Sequence, residues 1–315
     1  MTGARQSVDV LVIGAGPAGM TAAIYSGRAL LSTLVIERAI PGGQLNETDL
    51  IENWPGIEQA VSAPELMKTL HKQTERFGAQ FVQDEVTRIE PAADLHRVVT
   101  PHGTYNARVI ILACGSRPRL LPAEGADRLK GRGVSYCATC DGFFFRDKSI
   151  VEVGAGDSGL TSALYLTRYA REVAIVVRHP ADDPKAVRGT GILRQRVEQN
   201  EKIRFLWSCV VEGIVGDDHV TGVRLRNLKT DEVTEFPTDG VFVNIGHDPQ
   251  TAFLGGTVDL SRDGYIVTDT RFRTNIPGIF AAGDARVGAH QYAQAVIAAG
   301  EGAAAALEAE SYLSV

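Results

Sequence analysis

A short apolar, β-branched run that empties into a glycine turn and then a helix occurs twice in this chain, and nothing else narrows its folding options as much. Residues 8–13 (VDVLVI) lead into Gly14, Gly16 and Gly19, after which residues 20–29 read as helix. Residues 149–153 (SIVEV) lead into Gly154, Gly156 and Gly159, followed by a helical 160–169, and the two turns start 140 residues apart. Each helix runs on to another apolar strand, 33–36 in the first copy and 173–177 in the second. Each copy is therefore a βαβ unit and calls for a parallel sheet. Between the copies lie an alternating segment, 97–112, and the proline-marked Arg117-Pro118-Arg119, which reads as a hinge. After the second copy come a strand-like 240–245, the run into Ala281-Ala282-Gly283-Asp284, and an alanine-rich helical 291–313. The expected fold class is α/β, with two Rossmann-like three-layer domains, the second inserted into the first, and boundaries near 117 and 245.

The chain is long enough for this, since 315 residues at 44% hydrophobic content can bury two cores. A formal net charge of −6 with lysine and arginine scattered leaves no basic footprint for nucleic acid. The stretch before Val8 is short and polar, and no run of about 18 apolar residues occurs, so no membrane partner and a cytoplasmic location are expected. Four cysteines are too few to staple a chain of this length, which turns a close pair toward redox or metal chemistry.

Glycines at this spacing let the backbone turn tightly, let a pyrophosphate approach, and let the helix pack on its strand, while the helix N-terminus offers amide donors. Glu37 closes the second strand 18 residues after Gly19, where a carboxylate can accept from an adenosine ribose hydroxyl. A turn that only packs is the bland alternative. The segment Cys137-Ala138-Thr139-Cys140 brings two thiols within disulfide reach, with Asp141 next to them. A zinc half-site would need two more ligands, and Cys114 and Cys209 lie far off, each within a strand-like segment and each a small core hydrophobe. Two buried structural thiols are the third reading, but a Cys-x-x-Cys beside an acid suits thiol–disulfide exchange better, because the thiolate is the nucleophile and a carboxyl can move protons. Asp141 read blandly is a cap or turn residue. His247 and His290 could sit near a cofactor, although loop histidines are the commoner case.

With these pieces in place the sequence resembles the low-molecular-weight thioredoxin reductase family over nearly its whole length. The residues from Gly14 to Gly19, including Ala18, match the family's first glycine motif. Pro41-Gly42-Gly43-Gln44-Leu45 and Glu52-Asn53-Trp54-Pro55-Gly56 resemble its flavin-contacting loops, and Cys137-Ala138-Thr139-Cys140-Asp141-Gly142 its redox signature. Gly283 and Asp284 look like the strand end that contacts the flavin side chain, and Gln294 and Ala295 the pair facing the isoalloxazine. The resemblance implies FAD as cofactor, an FAD-binding domain over 1–117 and 245–315, and a pyridine-nucleotide-like domain over 118–244 that carries the cysteines. It also implies a homodimer and a thioredoxin-like protein disulfide as substrate. By the same analogy Cys140 faces the flavin, Cys137 attacks the partner disulfide and Asp141 is the general acid.

One part of the family pattern is missing. NADPH-using members carry a His-Arg-Arg strand end and a further arginine to hold the 2′-phosphate, whereas this chain reads Val177-Arg178-His179-Pro180-Ala181-Asp182-Asp183-Pro184. A carboxylate a few ångströms from a phosphate repels it by about 1 kcal/mol or more. The family's Tyr-Arg-Gln-Ala also becomes Tyr292-Ala293-Gln294-Ala295. The expected donor is therefore not NADPH but ferredoxin or a second flavin, with a second dinucleotide possible between Gly154 and Gly159. An ordinary NADPH enzyme, with the phosphate held by Lys185, Arg188 or Arg178, and a non-enzymatic flavin redox sensor are the alternatives.

Overall fold

The computed structural model describes residues 6–47, 50–51, 53–289 and 292–314, without the side chains at positions 6, 47, 139 and 140. Glu52, His290 and the side chain of Cys140, all singled out above, lie outside the described residues. The chain divides into two compact units, Met1–Arg117 with Asp248–Val315, and Pro118–His247.

The first unit opens with β1 (Gln6–Ile13), α1 (Pro17–Arg28) and β2 (Thr33–Glu37). The helix begins at Pro17, three residues before the expected start, because proline is pre-set for the first helical turn, where its missing N–H costs nothing. Next come α2 (Ala63–Arg76), β3 (Gln80–Gln83), β4 (Arg88–Glu90), β5 (His96–Val99) and β6 (Thr104–Leu112). The alternating segment read over 97–112 is thus two strands, broken where Thr100 N–H donates to the Gly103 carbonyl at 3.0 Å. The sheet order is β3-β2-β1-β6-β5-β4, with β1, β2, β3 and β6 parallel and β4 to β6 an antiparallel meander.

The second unit repeats the opening grammar. It contains β7 (Val134–Ser135), the single-turn α3 (Ala138–Asp141), β8 (Ser149–Val153), α4 (Asp157–Leu166), β9 (Glu172–Val177), α5 (Gly191–Glu198) and β10 (Ile203–Trp207). Helix α4 starts at Asp157 and ends at Leu166, against the expected 160–169, because it begins directly on the turn glycine Gly156. Three antiparallel strands follow, β11 (Cys209–Val215), β12 (Gly222–Asn227) and β13 (Val233–Pro237), and then β14 (Gly240–Val243). The parallel sheet runs β7-β14-β8-β9-β10. Its two faces follow the strand period of two: Val151, Val153, Val241 and Val243 pack with Val211, Val223 and Leu225 of the antiparallel strands, whereas Ile150, Ile175 and Phe242 pack with Leu160, Ala163 and Leu166 of α4.

Returning to the first unit, the chain adds β15 (Ile279–Ala281), parallel to β6, and α6 (Ala295–Leu313). Helix α6 starts at Ala295 rather than at 291, since Gln294 has extended backbone. Val10, Val12, Val35, Val109 and Ile111 face the helices, while Leu11, Ile13, Leu34, Ile36 and Ile110 face the meander side, which makes the unit three-layered. Among the described residues no helix is long and apolar enough to cross a membrane.

Helices α6 and α1 pack closely in this core. A Cβ built on Gly302 would lie 2.0 Å from the Ala18 carbonyl oxygen. Gly302→Ala therefore sets a helix-propensity gain of about 1 kcal/mol against a backbone collision that only separating the helices relieves. Net destabilisation of about 1–3 kcal/mol is expected, read as a Tm several degrees lower in calorimetry. A Tm at or above that of the parent would show that the two helices part easily.

Candidate active site

The first glycine turn is built by exclusion. Gly14 has φ +102°, and a Cβ there would stand 2.3 Å from the Ala113 carbonyl oxygen at the end of β6. A Cβ on Gly19 would stand 1.9 Å from the Gly14 oxygen, whereas one on Gly16 would meet nothing within 4 Å. The backbone is thus packed at both ends of the turn and open in the middle, the shape that a dinucleotide pyrophosphate needs. Glu37, at the end of β2, accepts from Ala15 N–H at 2.8 Å through Oε2 and from Ala39 N–H at 3.0 Å through Oε1. Each oxygen keeps a second lone pair for a diol.

Other predicted residues gather on this turn. Gly42 N–H donates to Ala15 O at 2.7 Å, and a Cβ on Gly43 (φ +58°) would come within 3.2 Å of Gly16 Cα, so the loop lies on the turn. Gln44 Nε2 donates to Ser116 Oγ at 3.1 Å and lies 3.4 Å from Asp284 Oδ2, and Leu45 packs against the helix-side core. A Cβ on Gly283 (φ +78°) would stand 2.9 Å from the Ala18 Cβ. Asn53 Nδ2 donates to Gln294 Oε1 at 2.9 Å, immediately before Ala295 opens α6.

Sequence reading missed an ion pair behind this loop. Glu301 of α6 accepts from Gly283 N–H at 2.9 Å and from Arg286 Nε at 3.1 Å, and a second, shorter Arg286–Glu301 contact closes the pair. Arg286 also donates to Thr268 Oγ1 at 3.2 Å and stacks 5.0 Å over Phe272. A glutamate inside an alanine-glycine helix was the available signal.

The second turn repeats the first. A Cβ on Gly154 (φ +121°) would lie 2.0 Å from the Asn244 oxygen and one on Gly159 would lie 2.3 Å from the Gly154 oxygen, while Gly156 is again open. What lies beneath differs. Glu152 of β8 is fully buried, accepting from Asn244 Nδ2 at 2.9 Å and bonded to Ser162 Oγ at 2.5 Å. At the matching positions of the first unit stand Val12, Ala22 and Ala113, so three apolar residues there correspond to one polar network here. Burial pushes the Glu152 carboxyl well above the ordinary carboxylate range, against the hydrogen bonds from Ser162 and Asn244.

The loop after β9 folds back on this turn. Thr190 N–H donates to Asp157 Oδ1 at 2.7 Å and Arg188 N–H to Ala155 O at 2.8 Å. Asp183 is occupied internally, by Lys185 N–H at 2.8 Å and His179 Nδ1 at 2.7 Å. The Lys185 backbone N–H, and then His179, hold its carboxyl below the usual value. Arg178, Asp182, Lys185 and Arg188 are exposed.

Also in the second unit, Cys137 is disulfide-bonded and Cys209 is free, as is Cys114 of the first unit. Asp141 N–H donates to the Cys137 carbonyl at 3.2 Å, closing the single turn of α3. Phe143 and Phe144, just beyond, are 59% and 68% exposed. They belong to a ladder in which Arg146 lies 5.2 Å over Phe143, Phe143 meets Tyr169 edge-on at 6.0 Å, Tyr169 meets Tyr165 at 5.7 Å, and Arg168 lies 4.9 Å over Tyr165. Cys209 does open a strand, but Cys114 follows β6 instead of lying within it. Burial pushes the Cys114 thiol up to about 12 and raises that of Cys209, so both are poor nucleophiles.

The family model for pyridine nucleotide-disulphide oxidoreductases matches residues 8–302. A thioredoxin reductase of Streptomyces coelicolor is 42% identical over 97% of this chain and 94% of its own length. The crystal structure of Lactococcus lactis thioredoxin reductase superposes with a TM-score of 0.93 at 41% identity, over 98% of this chain and 99% of that one. At lower similarity, a ferredoxin-flavin thioredoxin reductase of Clostridium acetobutylicum matches with a TM-score of 0.53 at 28% identity, over 99% of each chain.

The buried carboxyl has a measurable consequence. Glu152 binds its proton more tightly in the folded state than in the unfolded chain, so its contribution to stability is present below a pH of about 4.3 and is lost as pH rises toward the raised folded value. Glu152→Gln keeps a neutral partner for Asn244 and Ser162 and should remove this slope, which is at most about 1.4 kcal/mol per pH unit. Denaturant titrations between pH 5 and 8 check it, and parallel curves for parent and variant would mean that Glu152 is not neutral.

Proposed function

The chain belongs to the pyridine nucleotide-disulphide oxidoreductases as an enzyme of the thioredoxin reductase type, and we propose that it passes electrons from FAD through the Cys137–Cys140 pair to a thioredoxin-like protein disulfide. The observation that carries this reading is the disulfide-bonded Cys137 at the head of a one-turn helix ending in Asp141, in a chain whose Cys114 and Cys209 are free. The first unit is the FAD-binding domain in this reading, with Gly14, Gly16, Ala18 and Gly19 cradling the pyrophosphate and Glu37 holding the ribose. Gly43, Gln44 and Leu45 cover that turn. Asn53, Gly283 and Asp284, with Gln294 and Ala295, take the flavin end. FAD, when bound, supplies the two electrons that reduce the cysteine pair.

The chain's own residues then carry out thiol–disulfide exchange. The Cys137 thiolate attacks one sulfur of the partner disulfide, that bond breaks, a mixed disulfide forms, and Asp141 gives a proton to the displaced sulfur. The Cys140 thiolate next attacks the Cys137 sulfur, the mixed disulfide breaks, and the second partner thiol leaves after taking a proton from water. Two electrons and two protons have reached the partner, and the enzyme pair is oxidised again. The exposed Phe143 and Phe144 offer apolar surface to the partner. Kinship with thioredoxin reductases supports a cytoplasmic homodimer.

The donor is proposed not to be NADPH. Strand β9 is followed by one exposed arginine, Arg178, and His179 beside it is taken up by Asp183. The likeness to a ferredoxin-flavin thioredoxin reductase supports ferredoxin, and the open Gly156 suits a second flavin dinucleotide. A specific observation favours NADPH as second reading: the Asp183 carboxylate is turned inward, which leaves Arg178, Lys185 and Arg188 as exposed cations opposed by Asp182.

Two measurements test these proposals. Titration of the FAD-loaded protein with dithionite should take up two more electrons per chain than free flavin, and Cys137→Ser or Cys140→Ser should lose that excess; equal uptake by the variants would end the redox-pair reading. Stopped-flow mixing with micromolar NADPH should leave the flavin absorbance unbleached over seconds. Millisecond bleaching would establish the second reading instead.

A further inference from the structure

The Cys137 peptide is held from both sides by one hydroxyl. Ser135 Oγ accepts from Cys137 N–H at 3.0 Å and donates to the Cys137 carbonyl at 3.2 Å. The same carbonyl receives Asp141 N–H at 3.2 Å. Ser135 is therefore joined to the backbone of both the proposed nucleophile and the proposed acid through a single carbonyl oxygen. The residue that carries it is buried. Ser135 is 4% exposed and lies on β7, paired in register with the fully buried Phe242 of β14. Between the two residues, Tyr136 is tied as well: its hydroxyl accepts from Leu121 N–H at 3.0 Å, and Lys130 sits 5.5 Å over its ring.

We infer that Ser135 is a positioning residue for the disulfide exchange, its hydroxyl carrying the rigidity of the sheet edge into the Cys137–Asp141 turn. This rests on the redox reading given above. An attacking sulfur must reach the partner disulfide along a narrow approach, and each thiolate attack in the exchange demands that approach anew. A methyl at position 135 removes both hydrogen bonds that Ser135 makes to the Cys137 backbone and so loosens the turn from β7.

The test uses the full-length FAD-loaded enzyme, reduced with dithionite, with a thioredoxin as disulfide substrate. Ser135→Ala should lower kcat about fivefold to tenfold with KM within a factor of two, and should slow iodoacetamide capture of Cys137 by a similar factor, while electron uptake stays parental. Ser135→Thr, which keeps the hydroxyl, should recover both rates. A loss that appeared only in Tm, or a Ser135→Ala enzyme with parental kcat and capture rate, would overturn the role. Were Ser135→Ala not to fold, amide exchange in the reduced parent decides: the Cys137 and Asp141 amides are expected to be protected, and free exchange at Cys137 would overturn the inference. If the parent itself takes up no electrons beyond its flavin, the redox reading falls. If it takes them up and Ser135→Ala turns over normally, only the Ser135 role falls.

Discussion

Two carbonyl oxygens leave no room for a side chain, and the architecture of both units depends on that. At Gly14 the Ala113 oxygen, and at Gly19 the Gly14 oxygen, stand where a Cβ would have to go, and the second unit repeats this at Gly154 and Gly159. Contact this close brings the parallel strands, the turn and the helix into one rigid corner at the carboxyl edge of the sheet. The middle glycine of each turn is left open, which gives a ligand room to approach the backbone there.

Around the first corner the protein invests its polar groups in holding backbone. Glu37 binds two main-chain amides, Gln44 reaches to Ser116 and Asp284, and Glu301 holds Gly283 while neutralised by Arg286. With side chains 17% and 11% exposed, Arg286 and Glu301 form a pair whose desolvation is offset by its further bonds to Gly283 and Thr268 and its stacking on Phe272. The second corner is braced from below instead, by Glu152 between Ser162 and Asn244, where the first has Val12, Ala22 and Ala113. Two copies of one supersecondary unit thus reach the same turn geometry on chemically different foundations.

Much of this was legible in the chain itself. The βαβ grammar, the glycine spacing and the acid closing β2 each follow from local rules. Helix starts were less legible, because Pro17 and Asp157 begin their helices inside what reads as turn, and Gln294 delays α6 with extended backbone. The acidic loop after β9 reads as a row of negative charge, yet Asp183 turns inward to His179 and the Lys185 amide. The partners of a side chain in a folded-back loop are set by where the chain returns, which spacing does not encode.

The sequence by itself determined the α/β class, the two glycine corners, and the Cys-x-x-Cys segment beside an acid, because these are short-range patterns whose chemistry is complete within a few residues. Only the tertiary structure decided that Glu301 from the last helix would hold Gly283, that Glu152 would be buried between Ser162 and Asn244, and that Ser135 would grip the Cys137 peptide. The first two contacts join residues from separate elements, and the third depends on a strand edge held by β14. Hydrogen bonds of that kind act over about 3 Å in space while their residues can be far apart in the chain, so they exist only once the layers have closed.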